Sequence, residues 1–286
     1  MYDLKIMTWN IKGEASLEWN NRYEIKSKLV DKIIEQQADV IVLTAFVIAK
    51  GVEYLFDRLQ NEEYIWFQQS CSGKNGVFIA IRKILVNDKE FINYVYNTNL
   101  ISSHTKGCNI LVVTLPLKCK KKISIVGCRM ETGHKEDLRE QYDFQKECFD
   151  ELLIPEINKA QDSDVCILCG DFNNAKHYGE LGKSFEEVKT QYMKREWNET
   201  KRQYEGPFLP VAQYNYNLHR IKDSLSIIGF QLCENKNDWT FQDKYENKIH
   251  EDHIFVKGLT YKSSDIIKEK NLSDHNILWA EVKLED

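Results

Sequence analysis

Apolar residues recur along this chain in two rhythms, and each predicts a different element. Strict alternation with polar neighbours marks half-buried strands, while a return every third or fourth position marks amphipathic helices. "DLKIMTWNI" (residues 3–11) alternates and predicts a strand. Residues 23–36 place Ile25, Leu29, Ile33 and Ile34 on one helical face, with Asn20 or Asn21 in position to cap it. "ADVIVL" then predicts a buried strand over 38–44. This strand–helix–strand opening predicts a layered α/β domain. Further along, Asn75-Gly76 predicts a tight turn into the strand "VFIAIRK". "NILVVTLPL" (109–117) and "KISIVGCR" (122–129) read as a hairpin joined through "KCKK". Residues 136–154 predict a helix, 164–169 a strand, and 252–258 and 276–284 two late strands. The charge-mixed segment 183–205 reads as a solvated helix, with a substrate-contacting insertion as the alternative. With only four prolines and no Gly/Ser-rich joint, the pattern predicts one domain over residues 1–286.

Composition narrows the class. The chain has 286 residues, 42% hydrophobic and 29% charged, an ordinary balance for a soluble globular protein. No apolar run approaches the ~20 residues that span a bilayer. "MYDLKIMTWN" lacks the basic-then-apolar pattern of a secretory signal, so a cytoplasmic location without a membrane partner is expected. A net charge of -5 excludes a basic nucleic-acid coat. It leaves room for a nucleic-acid substrate, because a bound divalent metal supplies positive charge locally. Of the eight cysteines, Cys166 and Cys169 form a C-x-x-C, but within an apolar strand, where residues three apart face opposite sides. They are expected to pack as small hydrophobes and not to bind zinc.

Candidate chemistry gathers where apolar strands end in polar groups, since loops at strand ends are where a rigid scaffold presents function. Asn10 follows "IMTW"; Asp171 and Asn173 lie in "CILCGDFNN"; Asp252 opens "DHIFV"; Asp274 and His275 stand in "LSDHNILWA". Singly, each is explained by turn chemistry or by a satisfied interior histidine. Together they form a set suited to holding a hard divalent cation or orienting water on a phosphate. A separate Asp for the histidine also fits a carboxylate-oriented imidazole.

These motifs, in this order and over nearly the whole chain, resemble the endonuclease/exonuclease/phosphatase superfamily: "MTWNIKG", "CGDFNN", "DHIFV" and "LSDHNILWA". The resemblance implies a four-layer α/β (α+β) sandwich, two packed mixed β-sheets flanked by helices. It also implies hydrolysis of a phosphate ester that depends on Mg²⁺ or Mn²⁺. By the same resemblance Asn10 contacts metal or phosphate, and Asp274 stands beside the metal. Asp171 orients or deprotonates the attacking water, Asn173 holds a phosphate oxygen, His275 bonds a phosphate oxygen, and Asp252 orients His275.

Two departures from the family pattern matter. Where many members carry a histidine, "VGCRMETGH" carries Arg129, similar to bacterial members with an arginine there and an Arg-x-Gln pair downstream, here Arg139 and Gln141. An arginine grips a phosphate bidentately, which histidine cannot. A surface arginine is the plainer reading, and nearby His134 is given no role. The second departure is in "LTAF": bacterial members read L-T-E-F, the glutamate being the principal carboxylate ligand of the metal, and here Ala45 takes its place. Either the chain is a pseudoenzyme that binds a phosphate compound, or Ala45 is a Glu→Ala change inactivating an enzyme. The intact remainder of the site favours the second. For substrate, a nuclease on DNA or RNA comes first. A phosphatase or phosphodiesterase on small nucleotides or inositol phosphates, and a phosphate-binding module, are the alternatives. Aromatics in "YNYNLHRI" (214–221), with Trp239 and Phe241, are either base-stacking surfaces or core, and Asn217 within that stretch joins Arg129 and Arg139 as a substrate-binding candidate.

Overall fold

The computed structural model describes residues 2–12, 24–69, 76–87, 99–102, 108–130, 144–160, 162–173, 196–198, 200, 203–205, 218, 220–234, 238–242, 248–269 and 271–285. In chain order the strands are β1 (Tyr2–Asn10), β2 (Val40–Phe46), β3 (Tyr64–Gln69), β4 (Gly76–Arg82), β5 (Asn99–Ser102), β6 (Cys108–Pro116), β7 (Lys122–Met130) and β8 (Val165–Asp171). They continue with β9 (Glu196–Asn198), β10 (Gln203–Glu205), β11 (Gln231–Leu232), β12 (Phe241–Gln242), β13 (Lys248–Ile249), β14 (Asp252–Lys257), β15 (Thr260–Ile267) and β16 (Ile277–Leu284). Two six-stranded sheets result, ordered β15-β16-β1-β2-β4-β3 and β11-β14-β8-β7-β6-β5. Each is mixed: β1–β2 and β7–β8 are parallel, and the other pairings antiparallel.

Alternation along the strands explains the layering. Leu4, Ile6, Val42 and Ile79 of the first sheet pack against Ile125, Ile167 and Ile254 of the second, forming a core between the sheets. The intervening residues face outward. Met7, Ile41 and Leu43 pack under α1 (Ser27–Glu35) and α2 (Val52–Asn61), through Leu29, Ile33 and Leu55. Val126, Leu168 and Phe255 pack under Phe149, Leu153 and Ile157, carried by π-helical Cys148–Leu153 and the following α3 (Ile154–Ala160). The four layers are therefore helix, sheet, sheet, helix. Cys166 lies in the outer core and Cys169 between the sheets, on opposite faces of β8. No helix among the described residues is long and apolar enough to cross a membrane.

The structure moves several predicted boundaries. Helix α1 starts at Ser27, after Lys26, whose side chain makes no capping bond; Asn20 and Asn21 lie outside the described residues. Ile25 is buried just before the helix. The helix predicted over 136–154 is described from residue 144 and continues to Ala160. Pro155 would break a regular helix interior, but here it stands in the first turn after the π turns. Within 183–205 the described residues are not helical: β9 and β10 pair as a two-stranded antiparallel ladder. Strand β2 runs through Ala45 to Phe46 and does not stop at 44.

Spacing between the sheets is set at Gly127 on β7. A Cβ there would meet Val77 Cγ1 at 2.6 Å and Val42 Cγ1 at 3.0 Å. Beyond this close approach the inward-facing positions turn polar, with Thr8, Asn10 and Thr44 on one sheet opposite Arg129, Asp171 and Asp252 on the other.

Candidate active site

The second sheet forms one wall of the site. Its register aligns Arg129 with Asp171 and Asp171 with Asp252, so three charged side chains stand abreast on three adjacent strands. From the other wall, Asn10 at the end of β1 donates its amide Nδ2 to Asp171 Oδ2 at 2.7 Å, and its Oδ1 accepts from the Lys12 amide at 2.9 Å. Asn173 follows β8 in a left-handed conformation, φ +47°, which asparagine tolerates better than most residues. That turn aims its backbone N–H at Asp171 Oδ1, 2.8 Å away, and its side-chain amide at the Met130 carbonyl.

Asp274 and His275 come from the loop before β16. Ser273 ties that loop to β1: its hydroxyl donates to the Asn10 carbonyl at 2.7 Å and accepts from the His275 N–H at 3.1 Å. Trp9 adds a second tie, its indole N–H donating to the His275 carbonyl at 2.9 Å. The imidazole is then held by Asp252, whose Oδ2 lies 2.8 Å from His275 Nδ1. Thr240 fixes the start of β14, its hydroxyl oxygen accepting from the N–H groups of Glu251 (2.9 Å) and Asp252 (3.1 Å). Asp274 is more open and pairs with Lys12 Nζ at 2.8 Å.

Buried charge dominates the electrostatics. Burial pushes the Asp171 carboxyl up, and Asp252 beside it adds to this, against the opposing pull of His275, Arg129 and the Asn173 N–H. Burial alone would lower the His275 pKa, but Asp252, Asp171 and Glu251 outweigh it and carry the imidazole up to about 9. Glu251 is pushed up to about 8, first by its burial and then by Asp171, Asp252 and Asp274. Arg129 reaches Asp171 only at 4.0 Å, and its Nε is buried with no hydrogen-bond partner among the described residues. The site thus combines a buried carboxylate able to orient water, an imidazole with one nitrogen fixed, and a guanidinium with donors to spare.

The structure brings Asn10, Asp171, Asn173, Asp252, Asp274, His275 and Arg129 together; Arg139, Gln141 and Asn217 lie outside the described residues. Ala45 sits in a bulge. Thr44 pairs with Val77 and Phe46 with Gly76, leaving Ala45 as the extra residue at φ +53°. Trp239 is core, 3% exposed, with the Lys248 and Lys268 ammonium groups each 5.4 Å from its ring. Phe241 is half-buried against the site, its ring centroid 4.7 Å from that of His275. Glu251, Ser273 and Thr240 were not singled out by sequence reasoning. Only the adjacent acids in "HEDH" signalled the first of them. Among the described residues no three His, Cys, Asp or Glu side chains gather into a metal-binding group. The oxygen donors of Asn10, Asp171 and Asp274 are of the kind that suits Mg²⁺, which is held by one or two carboxylates with water and substrate phosphate completing its shell.

A model of the Endonuclease/Exonuclease/phosphatase family matches residues 7–275. Among solved structures, ANGEL2, a 2',3'-cyclic phosphatase, is 17% identical with a TM-score of 0.61, covering 100% of this chain and 96% of that one. An AP endonuclease from Archaeoglobus fulgidus is 16% identical with a TM-score of 0.58, over 97% and 98% of the two chains. Truncated Caenorhabditis elegans TDP2 is 13% identical with a TM-score of 0.56, over 99% and 98%. At these identities the likeness is one of fold. No curated protein matches the sequence.

Proposed function

The chain belongs to the endonuclease/exonuclease/phosphatase family, and from that premise we propose that it is a divalent-metal-dependent phosphodiesterase acting on nucleic acid, its turnover depressed by Ala45. One observation carries the reading: Asp171, held by Asn10 and Asn173, and His275, held by Asp252, occupy one cleft between the sheets. In this reading Asp171 orients the attacking water and takes its proton. His275 donates from its free Nε2 to a phosphate oxygen, while Asp252 fixes the other ring nitrogen. Asn173 and Arg129 bind further phosphate oxygens, as do Arg139, by the family resemblance, and Asn217. When bound near Asn10 and Asp274, Mg²⁺ or Mn²⁺ supplies positive charge to the phosphate oxygens.

The bulge at position 45 supports an impaired enzyme. A non-glycine residue at φ +53° costs on the order of 1 kcal/mol or more, and bulges beside active sites re-aim a side chain. The strand keeps this costly turn and presents only a methyl group. The same methyl favours a second reading, a module that binds a phosphate ligand without cutting it. Nucleic acid as substrate draws support from the AP endonuclease and from the 3'-5' exonuclease of Neisseria meningitidis among the structural neighbours. The test is a panel of labelled DNA, RNA and small phosphoesters offered to Ala45→Glu with Mg²⁺ or Mn²⁺. Cleavage of a nucleic acid supports the first reading. Binding without cleavage of any ester supports the second.

A further inference from the structure

The backbone of His275 and one of its ring nitrogens are fixed, which leaves the plane of the imidazole to be set. Its N–H donates to Ser273 Oγ at 3.1 Å, its carbonyl accepts from Trp9 Nε1 at 2.9 Å, and Asp252 Oδ2 lies 2.8 Å from Nδ1. A ring held at one nitrogen can still swing about that bond and carry Nε2 off its line. A reacting group needs its direction kept to within about 10–20°. The structure supplies a further contact. Phe241 lies against the imidazole, ring centroids 4.7 Å apart and planes inclined at 38°. Phe241 and His275 are also partners in an isolated antiparallel bridge, so the backbone of β12 decides where the phenyl ring sits.

That backbone is joined to the His275 loop by a row of bonds. The Gln242 N–H donates to the Asp274 carbonyl at 3.2 Å, and the Asn276 N–H to the Thr240 carbonyl at 2.6 Å. A side chain then continues the row. Asn276, 2% exposed, donates Nδ2 to the Trp239 carbonyl at 3.1 Å and accepts at Oδ1 from the Glu269 N–H at 3.0 Å. One buried amide therefore grips β12 on one side and the segment after β15 on the other. Strand β12 has only two residues and pairs with the equally short β13, so it has little ladder of its own to hold it. We propose that Asn276 is a positioning residue for His275, acting through Phe241. Its amide keeps β12 beside the loop, and the phenyl ring then closes one side of the imidazole and holds Nε2 to one direction. Asp252 fixes the nitrogen and Phe241 the plane. The inference rests on the reading of His275 as a donor to phosphate.

The first measurement needs no turnover. Proton NMR of the full chain in chelator reads the His275 ring protons, their ring-current shift and their cross-relaxation with Phe241. Asn276→Ala is expected to weaken the cross-relaxation and to move the His275 signals toward those of Phe241→Leu, which lacks the ring. Asn276→Asp keeps the acceptor for Glu269 and loses the donor to Trp239, so it should behave as Asn276→Ala does; it is read alone if the alanine variant melts early. In the Ala45→Glu background, Asn276→Ala and Phe241→Leu should each lower kcat by about ten- to a hundredfold, the scale of a small misplacement of a reacting group. KM should stay within about twofold, as for an interaction made only in the transition state. The double variant should be no slower than the slower single, since both act on one contact. An unchanged contact between the rings in a folded Asn276 variant overturns the proposal, and so do additive losses. A raised KM with unchanged kcat in Phe241→Leu overturns it too, making Phe241 a substrate contact. The two readings fail separately. Ala45→Glu that cleaves no ester sinks the functional reading, while the NMR comparison decides the Asn276 contact by itself. Rings that ignore Asn276 in a chain that cleaves nucleic acid sink this inference alone.

Discussion

Asn10 and Asp171, 161 positions apart, join the two sheets through one hydrogen bond of 2.7 Å from amide to carboxylate. Each residue ends a strand whose first inward positions, Leu4 and Ile6 or Val165 and Ile167, belong to the core between the sheets, so the bond forms where that core gives way to the cleft. A hydrogen bond to a charged group is worth about 1.5–3 kcal/mol, or roughly 10–100-fold in rate if it holds the reacting carboxylate. In an Ala45→Glu background, Asn10→Ala is therefore expected to lower kcat by about that factor. Steady-state kinetics on the cleaved substrate will measure it, and an unchanged kcat would reduce the contact to a structural tie.

The pair Asp252–His275 predicts a different signature. With Asp252→Asn, burial is opposed by fewer charges, so the His275 titration should fall from about 9. Proton NMR of the imidazole reads this directly. In the active background turnover should fall by about 10²–10⁴, the usual worth of positioned acid–base help. A histidine that still titrates near its starting value would mean that Asp171 and Glu251 set its charge, and not Asp252.

How far the sequence carried the fold can be seen at particular residues. Alternation placed Leu4, Ile6, Ile125 and Ile167, and through them the inward direction of Asn10 and Asp171, because a period of two is a local property. The bulge at Ala45 was invisible because nothing in alanine's chemistry asks for a positive φ; it is set by pairing with β4. Glu251 was missed for a related reason. It precedes β14, outside the apolar strand whose polar end residues drew notice. The polar segment that pairs as β9 and β10 carried no apolar period, so its charges suggested a solvated helix.

Stability of the metal-free protein should depend on pH in a defined direction. His275, about 9 when folded against about 6.5 unfolded, gives stability that is complete below pH 6.5 and lost as pH rises through 9. Glu251, about 8 folded against about 4.3 unfolded, acts with the same sign, its contribution lost as pH climbs from 4.3 through 8. The two windows overlap between about pH 6.5 and 8, where unfolding free energy should drop by an amount on the order of a few kcal/mol. Urea titrations in chelator at half-unit pH intervals will show the slope. Glu251→Gln should flatten it, and a profile that is level or rises over this range contradicts the burial argument.

Two glycines test how tightly the site is framed. At Gly170 a Cβ would lie 1.9 Å from the Cys128 carbonyl oxygen, and the backbone has φ +145°. At Gly127 the clash is with side-chain ends, Val77 Cγ1 and Val42 Cγ1. Gly127→Ala should cost about 1–3 kcal/mol, as overpacked cores do. Gly170→Ala should cost more, since backbone cannot step aside, and should disturb Asp171 next to it. Denaturant midpoints of both variants decide the order; equal losses would show that the β7–β8 pairing shifts more freely than its register implies.

Ala45→Glu carries the largest expected gain. The bulge already holds position 45 in a left-handed conformation that residues with a Cβ find costly, so a longer side chain adds little further backbone strain. Ala45 is 1% exposed, and a glutamate there would add a buried carboxyl to a site that already holds Asp171, Asp252 and Asp274. Without metal this should destabilise the fold, because like charges in a buried site repel and push one another's pKa values up. With Mn²⁺ the sign should reverse: affinity for a hard cation grows with the number of anionic oxygens, and binding to the folded state alone adds stability. The expected outcome is a lower melting temperature than the starting chain in chelator and a higher one in millimolar Mn²⁺, with phosphoesterase activity appearing in the same conditions. Thermal melts with and without metal, run beside the cleavage assay, read all three. A variant that is destabilised in chelator but gains nothing from Mn²⁺ would show that position 45 does not face the cation, and the enzyme reading would lose its main support.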